Sequence, residues 1–332
     1  MAEVKRSKMK DMCKAFLLPV VVFLFFAVAT KGRFSSASSI LSIFRTAVVP
    51  ALLAMSMSFG MTMGMWNFAA GAMVVACAIF SANISNATGA GIWGVCVFSI
   101  IIGVVLCTIM GLLYNWLRIP CMVLSLGYAI IVEALPNMLV SDSTGRIGLF
   151  DGFLGGAPWC YVIVFIMFLL FYYINNLTSF GADMRAIGAN IRIANNAGTN
   201  IDKVKLISFI LSGLFLGVAG IEYISINVAV IGVTGFASSS MIFDGMMGIF
   251  VAMVLVKYID YNVAVLIGVI TIRMLGAGLV ACGLSSEMRG ILTGVFLFLV
   301  MAYSANAGLL DKIKSKKMIA EEADHEYCAM SH

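Results

Sequence analysis

Apolar runs recur along the chain at residues 15–30, 40–80, 89–117, 119–139, 158–174, 204–227, 240–256, 263–282 and 288–305, separated by short polar links. A helix of about twenty apolar residues crosses the roughly 30 Å of bilayer hydrocarbon, so most of these runs read as single spans. The run 40–80 is too long for one crossing and tight for two at about 1.5 Å per residue. Gly60, Gly64 and Gly71 interrupt it around Trp66-Asn67. That pattern predicts a broken or paired short helix whose loosened backbone faces protein rather than lipid. Counted as two, it brings the total to about ten crossings. The expected fold is an all-α polytopic membrane protein over residues 15–306 with one pair of helices short or broken.

One polar stretch breaks the pattern away from either terminus: GADMRAIGANIRIANNAGTN, residues 181–200. It reads as two short helical pieces. The first covers 182–187 and is broken by Gly188. Asn190 is a good N-cap for the second, 191–197, and Gly198 a good C-terminal stop. Ile187, Ile191 and Ala194 fall at i, i+4 and i+7 and make a narrow apolar stripe, with Arg192, Asn195 and Asn196 facing elsewhere. Asn200 or Asp202 is placed to cap the next span. Small residues on a short amphipathic helix suit docking into a groove of a partner. An ordinary loop lying along the lipid headgroups would read the same way.

Composition strengthens the membrane reading. Of 332 residues, 62% are hydrophobic and 11% charged, where a soluble domain carries about a quarter charged. The net charge of +5 is too small to argue for nucleic acid. The position of the charges matters more. Lys5, Arg6, Lys8, Lys10 and Lys14 crowd residues 1–14, and Lys312, Lys314, Lys316 and Lys317 open the charged tail 307–332. Basic residues beside spans favour the cytoplasm, so both termini are expected there and the span count even. The polar stretch, with Arg185, Arg192, Lys203 and Lys205, falls on the same side; residues 141–157 fall outside. Lys31, Arg33 and Arg45 run against this arrangement. The first run resembles a secretory signal, with Ala27-Val28-Ala29 as a cleavage site, but spans follow throughout and it reads as a retained helix.

The candidate chemistry is sparse. Eight cysteines are scattered without a C-x-x-C pair, and both histidines, His325 and His332, lie in the tail. No disulfide framework, metal site, cofactor or buried histidine relay is indicated. Met55, Met57, Met61, Met63 and Met65 suggest a soft-metal path, but only Met57, Met61 and Met65 share a helix face. Flexible apolar filler explains them. No G-x-x-x-x-G-K-S/T occurs, so the chain has no phosphate-binding loop of its own and is not expected to hydrolyse ATP. Ionisable residues within spans are functional candidates by default, and four qualify: Glu133, Glu222, Asp244 and Arg273. The three acids fall toward the outer side and Arg273 nearer mid-depth. They either line the outer mouth of a pathway or pair with Arg273 to fix packing. Trp66 and Asn67, at the broken stretch, are pocket candidates for which simple packing is the alternative.

Arg185-Ala186-Ile187-Gly188-Ala189-Asn190, followed by Ala197-Gly198-Thr199-Asn200-Ile201, resembles the cytoplasmic loop of the ribose-type ABC transporter permeases, approximately R-A-I/V-G-G/A-N and then S-G-I-N-V. Leu211-Ser212-Gly213-Leu214-Phe215-Leu216-Gly217-Val218-Ala219-Gly220 is similar to the same family's L-S-G-L-L/F-A-G-L/V-A-G. Ile119-Pro120 with Leu124-Ser125-Leu126-Gly127, and Gly155-Gly156-Ala157-Pro158, keep the family's order over residues 40–305. The resemblance implies a permease subunit of an importer that works by alternating access, with a coupling loop at 178–203 docking on a separate ATPase. Gly181, Arg185, Ala186, Gly188, Asn190, Ala194, Gly198 and Asn200 would carry that coupling. It also implies a multi-pass cell-membrane location, an extracytoplasmic substrate-binding protein, a second permease copy, identical or not, and a small hydrophilic cargo, most often a sugar. Two segments depart from the pattern. Residues 64–71 keep the glycines of G-G-I-D-L-S-V-G but lose its Asp and Ser, and residues 247–262 stand where the family has a Gly-rich turn. An ion- or proton-coupled secondary transporter using Glu133 or Glu222 is the alternative. A non-transporting scaffold is a third reading, which the broken stretch argues against.

Overall fold

The structure, a computed structural model, describes residues 2–30, 33–140, 142–148, 151–285 and 288–302. The side chains of the basic segment 1–14, Lys31, and the charged tail with its lysines, His325, Cys328 and His332 lie outside the described residues. A first compact unit runs from Met1 to Gly283. Its helices are α1 (Ala2–Ala29), α2 (Ala37–Met61), α3 (Ala70–Thr88), α4 (Gly91–Leu117), α5 (Cys121–Leu139), α6 (Trp159–Leu177), α7 (Ser179–Ala189), α8 (Ile191–Asn196), α9 (Ile201–Asn227), α10 (Ser239–Leu255) and α11 (Tyr261–Ala281). The second unit begins at Leu284 and contains the apolar helix Met288–Ala302. The chain is an all-α polytopic membrane protein. Among the described residues, seven helices (α2 to α6, α9 and α11) are long and apolar enough to cross a membrane, and three shorter apolar helices accompany them.

The run 40–80 is broken where expected, at 62–69, but neither half is short: α2 has 25 residues and α3 has 19. The apolar run ends before the helices do. Ser36 caps α2 by accepting from the Ser39 amide. At the other end, α3 continues through Ser81, Asn83, Ser85 and Asn86, whose side chains find backbone partners. The Asn83 amide donates to the carbonyls of Ile79 and Thr144, at 2.8 and 2.9 Å. Polar residues so satisfied do not interrupt a helix buried in protein.

Helix α9 is the centre of the first unit, packed against α2, α3 and α4. Its Leu211–Gly220 segment explains itself in this packing. A methyl group on Gly213 would lie 2.5 Å from the Gly103 carbonyl, and one on Gly217 would lie 2.7 Å from the Ile100 backbone. Small residues let helix backbones approach in this way, and hydroxyls then bridge them. Ser99 donates to the Gly217 carbonyl at 2.7 Å, and Ser56 and Ser212 exchange bonds with each other's carbonyls at 3.0 and 2.9 Å. Phe59, Phe171 and Phe215 add an edge-on aromatic cluster joining α2, α6 and α9. At the end of α9 away from residues 181–200, β1 (Thr144–Arg146) pairs antiparallel with β2 (Ala229–Ile231), Gly145 opposite Val230.

Candidate functional site

The polar stretch forms α7, a turn at Asn190, and α8. Gly188 does not break the first piece: α7 runs through it to Ala189. The glycine is there for space. Any Cβ at Gly188 would overlap the carbonyl oxygen of Thr62, just past the end of α2, and any Cβ at Gly181 would overlap the carbonyl of Asn175 in α6. Met184 and Ile187 are buried on the same side. Helix α7 is thus laid, through its smallest residues, on the ends of α2 and α6. Arg185 fastens it by donating from a guanidinium nitrogen to the Asn175 carbonyl.

The caps fall where the sequence places them. Asn190 Oδ1 accepts from the Arg192 and Ile193 amides at 3.0 and 3.3 Å. Gly198, at φ +87°, takes the left-handed turn after α8. Asn200, not Asp202, caps α9 by accepting from the Lys203 amide at 3.1 Å. The apolar stripe does not survive. Ile187 and Ala194 point inward, whereas Ile191 is 46% exposed, and Ile193 beside it 67%. The extended backbone at Asn190 (φ −163°) resets the helical phase, so a spacing counted across it has no meaning. Helix α8 therefore presents Ile191, Arg192, Ile193, Asn195 and Asn196 outward, and Ala186 is exposed on α7. A cleft of about 710 Å³ opens beside it, lined by Tyr114, Arg118, Asn195, Asp202 and Lys205.

The four intramembrane charges do not converge. Arg273 on α11 pairs with Asp244 on α10 at 2.8 Å, both about a third exposed. Glu133 on α5 is buried and accepts two backbone amides, Phe236 at 2.7 Å and Ser238 at 2.9 Å. It thereby holds the loop before α10, where Phe236 sits at φ +65°. Glu222 on α9 is fully buried, and neither carboxyl oxygen has a hydrogen-bond partner among the described residues. Ser225, one turn later, is in the same condition. Three acids therefore occupy three distinct environments.

The break between α2 and α3 is gripped from two sides. The Trp66 ring lies 5.7 Å from that of Phe250 on α10, and the Trp66 carbonyl accepts from Ser125 on α5 at 3.2 Å. Asn67 is buried, its side-chain oxygen accepting from the Ala69 amide at 2.9 Å just before α3. That is a local turn bond two residues on, within the break itself. The sequence reading missed Asn175 and Asn262, buried residues on α6 and α11 whose side chains bond each other at 2.6 Å. The only signal is an asparagine just past the apolar run 158–174 and another just before the run 263–282.

Residues 39–301 match the family described as the permease component of branched-chain amino acid transport systems. The chain belongs to that family. The match covers α2 through the last described helix, and so includes α7, α8 and the break. The chain is also similar to individual proteins named as permeases. It is 29% identical over 164 residues to the probable ABC transporter permease protein YphD of Escherichia coli (strain K12), covering 49% of this chain and 48% of that one. It is 25% identical over 224 residues to the autoinducer 2 import system permease protein LsrC of Yersinia pseudotuberculosis serotype O:1b (strain IP 31758), covering 64% and 61%. The Yersinia pestis (strain Pestoides F) protein of the same name is 26% identical over the same length. The matched regions span about half of the first relative and about three fifths of the others.

Proposed function

We propose that this chain is the transmembrane permease subunit of an ATP-binding-cassette importer, moving a small hydrophilic solute by alternating access. Residues 179–200 form its contact with a separate ATPase on the cytoplasmic side, with both chain termini on that side. The observation that carries the reading is the seating of α7. Gly181 and Gly188 bring it against the ends of two spans, while α8 turns Ile191 and Ile193 outward. A part pushed at α8 therefore bears directly on α2 and α6. The relatives' names support an importer, and autoinducer 2 import in LsrC supports a sugar-like cargo. A substrate-binding protein outside and a second permease copy complete the proposed complex.

The test is gentle purification of the tagged chain from its native membranes, with mass spectrometry of what accompanies it and uptake of labelled ribose and autoinducer 2. A soluble ATPase bearing a phosphate-binding loop, lost on Arg185→Glu or Gly188→Pro while membrane insertion persists, supports the proposal. If both variants transport normally, the loop assignment is wrong. A second reading rests on Glu222, whose buried, unpartnered carboxyl suits a proton carrier. That reading requires a chain that purifies alone and moves solute in ATP-free liposomes under an ion gradient.

A further inference from the structure

A chain of side-chain bonds leads from α7 into the far side of the bundle. Arg185 holds the backbone carbonyl of Asn175, and the Asn175 side chain donates to Asn262 Oδ1 at 2.6 Å. Asn262, the second residue of α11, returns a bond from its own amide nitrogen to Asp260 Oδ1 at 3.0 Å. Its backbone amide meets the same oxygen at 2.9 Å, capping the helix. Asn176 occupies the other oxygen of Asp260 at 3.0 Å. These residues border a cavity of about 480 Å³ together with Thr62 and Met184. Their polar groups are already engaged with one another, so the arrangement is a joint rather than a ligand site.

We infer that Asn175 and Asn262 are positioning residues that transmit movement of the α7–α8 loop to α11. This inference rests on the ATPase-coupling reading and deepens it. The argument is one of economy. Side-chain hydrogen bonds between membrane helices add little net stability, because the separated helices also find partners, so a buried amide pair contributes little to stability that an apolar pair would not. It does fix one relative geometry of α6 and α11, because each amide left alone would be a buried unsatisfied group. Helix α11 continues from this joint to Arg273, eleven residues on and about 16 Å along the axis, where it pairs with Asp244 on α10. A displacement of α7 is thus delivered to the inner end of the span that carries the ion pair.

Cys282, exposed just past the far end of α11, reports that movement. The complex is purified from native membranes with Cys13, Cys96 and Cys328 changed to serine, and Cys282 is labelled with N-ethylmaleimide, with and without ATP and vanadate. The wild-type labelling rate is expected to change by about fivefold or more, the low end of ordinary coupling between sites. Asn175→Leu and Asn262→Leu are each expected to retain the ATPase and its hydrolysis but lose the response of Cys282. The double variant Asn175→Leu/Asn262→Leu leaves no amide unsatisfied and keeps the branched shape and heavy-atom count of each side chain, so it is expected to fold like wild type and still not respond. A merely structural pair predicts the opposite, recovery of the response in the double variant, and that result overturns the inference. So does a response that persists in both single variants, or a wild-type complex with ATPase bound in which Cys282 never responds. Wild-type protein that carries no ATPase removes the coupling reading itself, a separate outcome.

Discussion

Gly188→Ala separates two effects of opposite sign. In an exposed helix interior, alanine is favoured over glycine by about 0.8–1.0 kcal/mol, and α7 continues through this position. On propensity alone the change would stabilise the protein. The structure reverses the sign, because the added methyl would overlap the Thr62 carbonyl. That atom belongs to backbone at the end of α2 and cannot rotate away as a side chain would. Forcing a methyl into a packed contact costs typically about 1–3 kcal/mol, and here relief requires lifting α7 off α2. The net expectation is a loss of about 0–2 kcal/mol, with the damage concentrated in the loop. Thermal unfolding of the detergent-solubilised chain measures the first part, and hydrogen exchange of amides 182–189 the second. Ala186→Gly, exposed on the same helix, is the control for propensity. A melting temperature that rises in Gly188→Ala, with unchanged protection of the loop, would refute the close seating of α7 and the coupling argument built on it.

The other expectations concern the three acids within the spans. Glu133→Gln keeps one acceptor oxygen and Glu133→Ala none. Each lost bond to a charged acceptor is worth about 1.5–3 kcal/mol, so exchange at amides 236 and 238 should quicken in that order, and equal protection in all three proteins would deny the latch. Arg273→Leu leaves Asp244 without its ion-pair partner; because the pair is about a third exposed, the loss in thermal stability should fall below the roughly 3–5 kcal/mol of a fully buried pair. The exchanged pair Asp244→Arg/Arg273→Asp should recover part of it, and no recovery would mean the charges act separately. Glu222→Leu removes no hydrogen bond and should leave stability unchanged or raised. If Glu222→Gln abolishes uptake in a chain that melts normally, the carboxyl serves transport rather than packing.

How much was legible depends on whether a residue's partner was near in sequence. The caps at Asn190, Gly198 and Asn200 act within a few residues of themselves, and the chain could be read for them directly. The small residues at 212–220 were equally plain, since one helix face repeats them. Gly188 was misread for the opposite reason: a glycine inside a helical segment looks like a breaker until Thr62, distant in sequence, is set against it. The spans at 40–80 were underestimated because hydropathy measures what lipid tolerates, and α3 ends against β1 rather than in lipid. Glu133 was recognised as unusual, but its partners are backbone amides, which every residue except proline carries and which leave no mark in a sequence. The joint of Asn175 and Asn262 escaped altogether, because two asparagines at the ends of runs read as ordinary boundaries.

The two segments that depart from the ribose-type pattern, 64–71 and 247–262, are far apart in the chain and adjacent in the fold. Trp66 stands one residue before the position of the pattern's Asp, and its ring packs on Phe250, which lies in the second departing segment. A glycine at 250 would offer no ring to pack on, and a small residue at 66 would leave Phe250 without its neighbour. The two segments are therefore joined in this protein by an aromatic contact between the break and α10. Such pairs contribute about 0.5–1.5 kcal/mol beyond the area they bury. A double-mutant cycle on Trp66→Ser and Phe250→Gly should return a coupling energy of that size in thermal stability. Additive effects would mean that the two rings do not support each other, and that other contacts hold the break to α10.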